Sequence, residues 1–291
     1  MKKIIVVCGP TATGKSDYAV DLAKKYPPAG GGEIISADSR QVYVGMDIGS
    51  GKVPCDKKTP TNYSLLTTNY FYKGVPHYLL DVANPKRTFS VAQYKKLSIK
   101  IIDDILARDK TPIICGGTGF YIDAVVYNQN FPAVPPNKIL RKKLYSLSAI
   151  ALFEYIQKLD PKRAKNIDAK NKVRLVRAIE IATALGSVPE LKRTKQYDVE
   201  WHYLDFPDEV LKKRIHDRLL KRMKTGMVKE IQALHNGGVS WKRLESFGLE
   251  YRYLALYLQN KLSKTEMLTQ LESAIWHYAK RQRTWFKKYG K

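Results

Sequence analysis

Apolar positions fall along this chain in two patterns, and together they predict strands alternating with helices. Short apolar runs of strand length occupy Ile4 to Cys8, Glu33 to Ala37, Thr111 to Cys115 and Trp201 to Phe206, with a further short strand after the turn at Gly74-Val75-Pro76. Between them apolar residues recur at helical spacing. An amphipathic segment starts near Asp17 and ends near Tyr26; Val91, Tyr94, Leu97, Ile101, Ile102 and Ile105 share a face within Ser90 to Leu106; Leu211, Ile215, Leu219 and Met223 recur every four residues. Ala29 to Gly32 reads as a loop that is neither helix nor strand. The Pro-rich stretch Phe131 to Pro136 marks a boundary, beyond which one helix over Arg141 to Leu159 stops at Asp160-Pro161 and another runs from Val173 to Leu185. The pattern predicts an α/β protein: a parallel sheet core begun by residues 1–130, which the glycine-bounded loop Gly9 to Ser16 between its first strand and helix makes P-loop NTPase-like, a mostly helical insertion at 131–198, and a return to the core with a basic helical C-terminal region at 199–291.

The first strand and first helix are joined by Gly9-Pro10-Thr11-Ala12-Thr13-Gly14-Lys15-Ser16. Two glycines let such a loop turn several N–H groups inward, and the following helix adds its positive end, so an anion belongs there. Lys15 can reach a terminal phosphoryl oxygen, and the Ser16 hydroxyl can ligate a magnesium ion that bridges phosphate oxygens. The loop alone does not say what the phosphates are attached to.

Charge adds a second partner. The chain carries 51 Lys and Arg against 27 Asp and Glu, a formal +24, far more than solubility needs, and this points to a polyanion. The excess is uneven, with 17 basic against 11 acidic groups up to residue 137 and 34 against 16 beyond it, so the polyanion surface is partly separate from the phosphate loop. Cys8, Cys55 and Cys115 show no C-x-x-C spacing and read as small buried hydrophobes of a reducing compartment. Met1-Lys2-Lys3 and the five apolar residues after it imitate the start of a signal peptide, which Gly9-Pro10 stops. No stretch reaches transmembrane length, so a soluble cytoplasmic protein is expected, without a membrane partner.

Asp38 stands at the carboxyl end of the second strand, where open α/β sheets place their ligands; it can serve chemistry there or cap the next turn, and the spacing leaves both open. Thr118, in the glycine-rich end of the Thr111 to Cys115 strand, can offer a hydroxyl. Arg214, Arg218 and Arg222 form a row beside the apolar row of their helix, a solvated face or a clamp on a phosphate. His77 has no second ligand at metal spacing and reads as a packed or solvent-facing histidine. Ile275 to Lys288 interleaves aromatic and basic residues, a composition that suits stacking on bases as well as it suits a core face backed by solvated lysines.

Taken in order, these segments resemble the tRNA dimethylallyltransferase family, which adds an isopentenyl-type group to N6 of the adenosine just 3′ of the anticodon. The resemblance covers most of the chain: Gly9 to Ser16, Asp38-Ser39-Arg40-Gln41-Val42-Tyr43, Met46-Asp47-Ile48-Gly49, Gly74-Val75-Pro76-His77 with Leu80-Asp81, Gly116-Gly117-Thr118, Arg174-Leu175-x-Arg177-Ala178-x-Glu180, and Ala279-Lys280-Arg281-Gln282-x-Thr284-Trp285. It departs from the family pattern in the length of Gly30-Gly31-Gly32, in Ser50-Gly51 where Thr-Ala is common, and in Gly248-Leu249-Glu250-Tyr251-Arg252 where a shorter Gly-Tyr-Arg is frequent. The zinc finger of eukaryotic relatives is absent, which favours the bacterial type.

The resemblance implies that residues 9–16 hold the pyrophosphate of dimethylallyl diphosphate with Mg2+ on Ser16, and that Arg214 and Arg218 complete the clamp. It implies that Asp38 takes the proton of the adenine amino group, with Thr11 beside it. It implies tRNA contacts by Asp38, Ser39, Arg40, Gln41, Thr118, Val173, Arg174, Leu175, Val176, Arg177, Arg281 and Gln282 on an anticodon stem-loop, by a monomer. A phosphate-loop kinase of small metabolites or nucleotides explains the first third of the chain alone, and a non-catalytic RNA-binding module explains the charge alone.

Overall fold

The computed structural model describes residues 2–26, 31–56 and 70–289. Its strands are β1 (Lys3–Cys8), β2 (Gly32–Ser36), β3 (Tyr70–Tyr72), β4 (Val75–Tyr78), β5 (Thr111–Gly116) and β6 (Asp198–Tyr203), in the sheet order β3-β4-β2-β5-β1-β6. All neighbours pair in parallel except β3, which forms an antiparallel hairpin with β4 across Lys73-Gly74, both at positive φ. The middle of the sheet is apolar on both faces. Ile4 to Cys8 and Ile34, Ile35, Ile113 and Ile114 are buried between α1 (Lys15–Lys25) on one side and α2 (Val91–Ala107) with α3 (Gly119–Val126) on the other.

Three readings from the pattern are corrected. Gly32 opens β2, because extended backbone needs no side chain here and a Cβ would lie 2.7 Å from the Ile113 Cδ1 and 3.0 Å from the Ala23 Cα; residues 27–30 of that glycine-rich loop lie outside the described residues. The segment Arg141 to Leu159 is two helices, α4 (Lys138–Ser146) and α5 (Ala149–Leu159), because the Ser148 side chain accepts the Ala151 N–H and starts a new helix. The last strand begins at Asp198 and ends at Tyr203, three residues earlier than its apolar run, since an edge strand buries only part of its length. β3 was not foreseen.

The chain divides into two units, Met1–Asn128 with Thr194–Lys291, and Gln129–Arg193; the pattern had set the insertion at 131–198. The second unit holds α4, α5, α6 (Pro161–Ala164) and α7 (Lys172–Leu185) around Leu144, Leu152, Ile156, Leu175 and Ile179. Its buried Glu180 accepts from Arg141, Arg177 and the Asn137 N–H, which accounts for the Arg177-Ala178-x-Glu180 spacing as an internal brace. The first unit is completed by α8 (Asp208–Lys224), α9 (Met227–Asn236), α10 (Trp241–Phe247), α11 (Leu249–Leu258) and α12 (Lys264–Phe286).

Candidate active site

The phosphate loop is shaped by what surrounds it. At Gly9 (φ +145°) a Cβ would sit 2.0 Å from the Leu204 carbonyl oxygen, so the backbone passes where only glycine fits. Gly14, left-handed, precedes α1 without any side-chain cap, which leaves the first N–H groups of the helix for an outside acceptor. Inside the loop the Thr13 hydroxyl donates to the Pro10 carbonyl at 2.9 Å, and Lys15 Nζ donates to the same carbonyl. Burial pulls the Lys15 ammonium down to about 8, with Arg218 adding repulsion and Cys115, Asp38 and Cys8 acting against it. A free enzyme of this kind loses its lysine charge as pH rises through about 8, so kcat/KM for an anionic donor is expected to fall above that pH in initial-rate profiles. Lys15→Arg, charged throughout, removes that limb if the lysine is its source.

Of the arginine row of α8, Arg214, which is exposed, and Arg218 end on atoms of this loop, and Arg222 ends beside it. Arg214 Nε donates to the Ala12 carbonyl at 2.7 Å, Arg218 donates to the Thr11 hydroxyl, and Arg222 Nη1 reaches Glu250 Oε1 at 3.1 Å and the Gly49 carbonyl at 3.4 Å. Burial, then Arg222, lower the Arg218 pKa to about 9, with Glu250 and Asp38 acting against them.

Asp38 caps its turn and also faces open space. Its Oδ1 accepts the N–H groups of Arg40 (2.8 Å) and Gln41 (3.3 Å), while the residue also lines a cavity of about 840 Å³. Thr11, Arg218, Arg222, Glu250 and Tyr278 line the same cavity, which brings one residue of the phosphate loop, two of the α8 arginines and the end of β2 to one space. Burial, then the Asp38 charge, raise the Tyr278 phenol, so it remains a hydrogen-bond donor. The floor of the site depends on close backbone approach: a Cβ at Gly116 would meet the Ala37 carbonyl oxygen at 2.3 Å.

Other predicted residues serve elsewhere. Thr118 Oγ1 accepts the Ser39 N–H at 3.1 Å and fixes the Asp38 turn from behind. Gln41 is used internally, its amide accepting from Ser36 and donating to the Gly51 carbonyl at 3.2 Å. Gln282 is buried: its Oε1 accepts the Thr11 N–H and its Nε2 donates to the Gly117 carbonyl, each at 2.8 Å, so it braces the phosphate loop and its amide is not available to RNA. Ser39, Arg40 and Arg281 line the cavity. In the second unit Val173 and Arg174 are exposed and Arg177 is half-buried, whereas Leu175 and Val176 are core side chains turned away from any ligand. His77 is buried, with Nδ1 2.9 Å from the Val75 carbonyl oxygen.

Two acids escaped the sequence reading. Glu230 accepts the N–H groups of Asp47, Ile48 and Gly49 and the Tyr251 hydroxyl, holding the wall of the cavity, and Glu250 pairs with Arg222. The available signal was the run Met46 to Gly49, a loop whose N–H groups needed an acceptor from somewhere. Among the described residues no cluster of three His, Cys, Asp or Glu side chains could hold a metal, so a divalent ion would take most of its ligands from phosphate and water, as Mg2+ does; the Ser16 hydroxyl, at the first turn of α1, fits that arrangement. No described helix is long and apolar enough to cross a membrane.

The model of the IPP transferase family matches residues 41–289, and that of isopentenyl transferase matches residues 2–77. The chain belongs to the IPP transferase family. A family member from Treponema denticola, named tRNA dimethylallyltransferase 2, is 41% identical over 99% of this chain and 92% of its own length; one from Syntrophus aciditrophicus, named tRNA dimethylallyltransferase 1, is 39% identical over 99% and 90%. Among solved structures, the tRNA isopentenylpyrophosphate transferase of Bacillus halodurans is 32% identical with a TM-score of 0.69, covering 99% of this chain and 87% of that one. A eukaryotic dimethylallyltransferase acting on tRNA, at 24% identity and a TM-score of 0.78 over 98% and 70%, shares the fold. The parallel sheet with its phosphate loop is thus the fold of this IPP transferase family, and the kinase alternative finds no support in these matches.

Proposed function

We infer that the chain transfers a dimethylallyl group from dimethylallyl diphosphate to N6 of the adenosine just 3′ of the anticodon in tRNA, releasing diphosphate. The observation that carries this reading is one cavity in which Thr11 of the phosphate loop, Arg218 and Arg222 share the lining with Asp38. One end suits a leaving diphosphate, and the other suits a nucleophile that must lose a proton.

In the reaction the N6 lone pair forms a bond to the allylic carbon while the carbon–oxygen bond breaks and its electrons go to diphosphate. Negative charge grows on the departing oxygen, where the N–H groups of the loop, Lys15, Arg214 and Arg218 are already in place; such preorganised charge is usually the largest contribution to a rate. A magnesium ion on Ser16 would add positive charge to the same oxygens. Asp38, turned by the Arg40 and Gln41 N–H groups, accepts the proton that N6 gives up. The adenine has to leave its stack to enter the cavity, where Arg40, Tyr278 and Arg281 offer planar faces and donors. The basic second unit, on which Val173 and Arg174 are exposed, suits the phosphates of the anticodon stem-loop. We place the enzyme in the cytoplasm with its tRNA substrate, working as a monomer.

Mass spectrometry of an anticodon stem-loop incubated with the protein, Mg2+ and dimethylallyl diphosphate tests the reading. A prenyl increment on the adenosine 3′ to the anticodon is expected. Phosphate transfer from ATP in a parallel reaction, without prenylation, would overturn it.

A further inference from the structure

The three arginines of α8 do not share one task. Arg214 and Arg218 end on atoms of the phosphate loop, the Ala12 carbonyl and the Thr11 hydroxyl. Arg222, one helical turn farther along the same face, ends on the Glu250 carboxylate and the Gly49 carbonyl. Only 12% of the Arg222 side chain and 9% of the Glu250 side chain is exposed, so solvent ions screen this pair little. The surrounding backbone is fitted to it. Gly51 is left-handed, and a Cβ there would lie 1.6 Å from Arg222 Nη2, inside the guanidinium. Glu250 is presented to the cavity by two left-handed residues, Gly248 (φ +77°) and Leu249 (φ +42°), a conformation that a leucine adopts only under constraint.

Diphosphate carries more negative charge as free product than as the allylic ester. Every cation that stabilises the breaking bond also holds the product, and a fourth cation beside Lys15, Arg214 and Arg218 would slow its departure. We propose that Glu250 is a positioning residue that occupies Arg222 and holds it back from the diphosphate, so that the clamp grips the transition state and still lets the product go. The proposal rests on the reading of this cavity as a prenyl diphosphate site.

Glu250→Gln keeps the shape and an acceptor oxygen and removes the charge. Isothermal titration of the whole protein with pyrophosphate and Mg2+ should then show a dissociation constant about tenfold lower than that of the wild type, the size of one gained charge-assisted contact. Steady-state kcat should fall while the single-turnover rate of prenyl transfer to the stem-loop stays within about twofold, the signature of slowed release. A merely structural role predicts the opposite, looser binding and slower chemistry together, and either weaker or unchanged pyrophosphate binding in Glu250→Gln would overturn the proposal. The double variant Arg222→Met with Glu250→Gln removes both charges and should bind pyrophosphate within about twofold of the wild type. Loss of binding in that variant would show that Arg222 already touches the ligand and would equally overturn the proposal. A wild-type protein that binds no pyrophosphate would instead reject the underlying reading of the cavity.

Discussion

Asp38→Asn is expected to lower the single-turnover rate of prenyl transfer by about 10²- to 10⁴-fold, the usual contribution of a positioned general base, without lowering the melting temperature. The asparagine Oδ1 can still accept the Arg40 and Gln41 N–H groups, so the turn after β2 survives, and the stem-loop should bind as before. Asp38→Ala loses the base and the turn together, and the cap adds a destabilisation of about 1 kcal/mol that a thermal melt resolves. The two variants therefore separate the chemical role of this carboxylate from its structural one. Equal transfer rates in Asp38→Asn and the wild type would remove Asp38 from the mechanism and leave it as a turn residue that happens to line the cavity.

Gln282→Leu is expected to cost stability first and activity through it. The substitution strands the Thr11 N–H and the Gly117 carbonyl, and each buried polar group left unpaired costs about 1–3 kcal/mol. Thr11 also receives Arg218, so loosening its backbone should raise the dissociation constant for dimethylallyl diphosphate and pyrophosphate alike. A direct RNA contact predicts a different outcome: a higher KM for the stem-loop with an unchanged melt. Glutamate at this position is no rescue, since its carboxylate cannot donate to Gly117; this sets the amide's two-ended role apart from the mere presence of a polar group.

What could be read along the chain was local. β1, the phosphate loop and α1 are contiguous, and the four-residue recurrence of Arg214, Arg218 and Arg222 guaranteed one helix face whatever the fold around it. What could not be read depends on partners far along the chain. Gln282 meets Thr11 across 271 positions and Glu230 meets Asp47 across 183, and no periodicity encodes such a meeting. The amide in the Arg281-Gln282 pair stood among the expected RNA contacts, and burial decided otherwise. Leu175 and Val176 were carried to the RNA surface by sharing a motif with Arg174 and Arg177, although the 3.6-residue period turns them inward. In the second unit the apolar spacing ran unbroken through Leu147, so the new helix start at Ser148 was masked by continuous hydrophobicity.

The brace between Gln282 and the phosphate loop also sets an order of events at the ribosome. Synthesis delivers residues 9–16 long before the last turns of α12, and between the two it delivers a compact unit, Gln129–Arg193, that buries its own core. Domains of this kind fold as units while translation continues. A nascent chain therefore contains its whole basic insertion before Thr11 has an acceptor for its N–H and before Arg214 and Arg218 arrive. The anion site is complete only once α12 has been made as far as Gln282, so a translation product that stops short of it has no preorganised place to hold an allylic diphosphate.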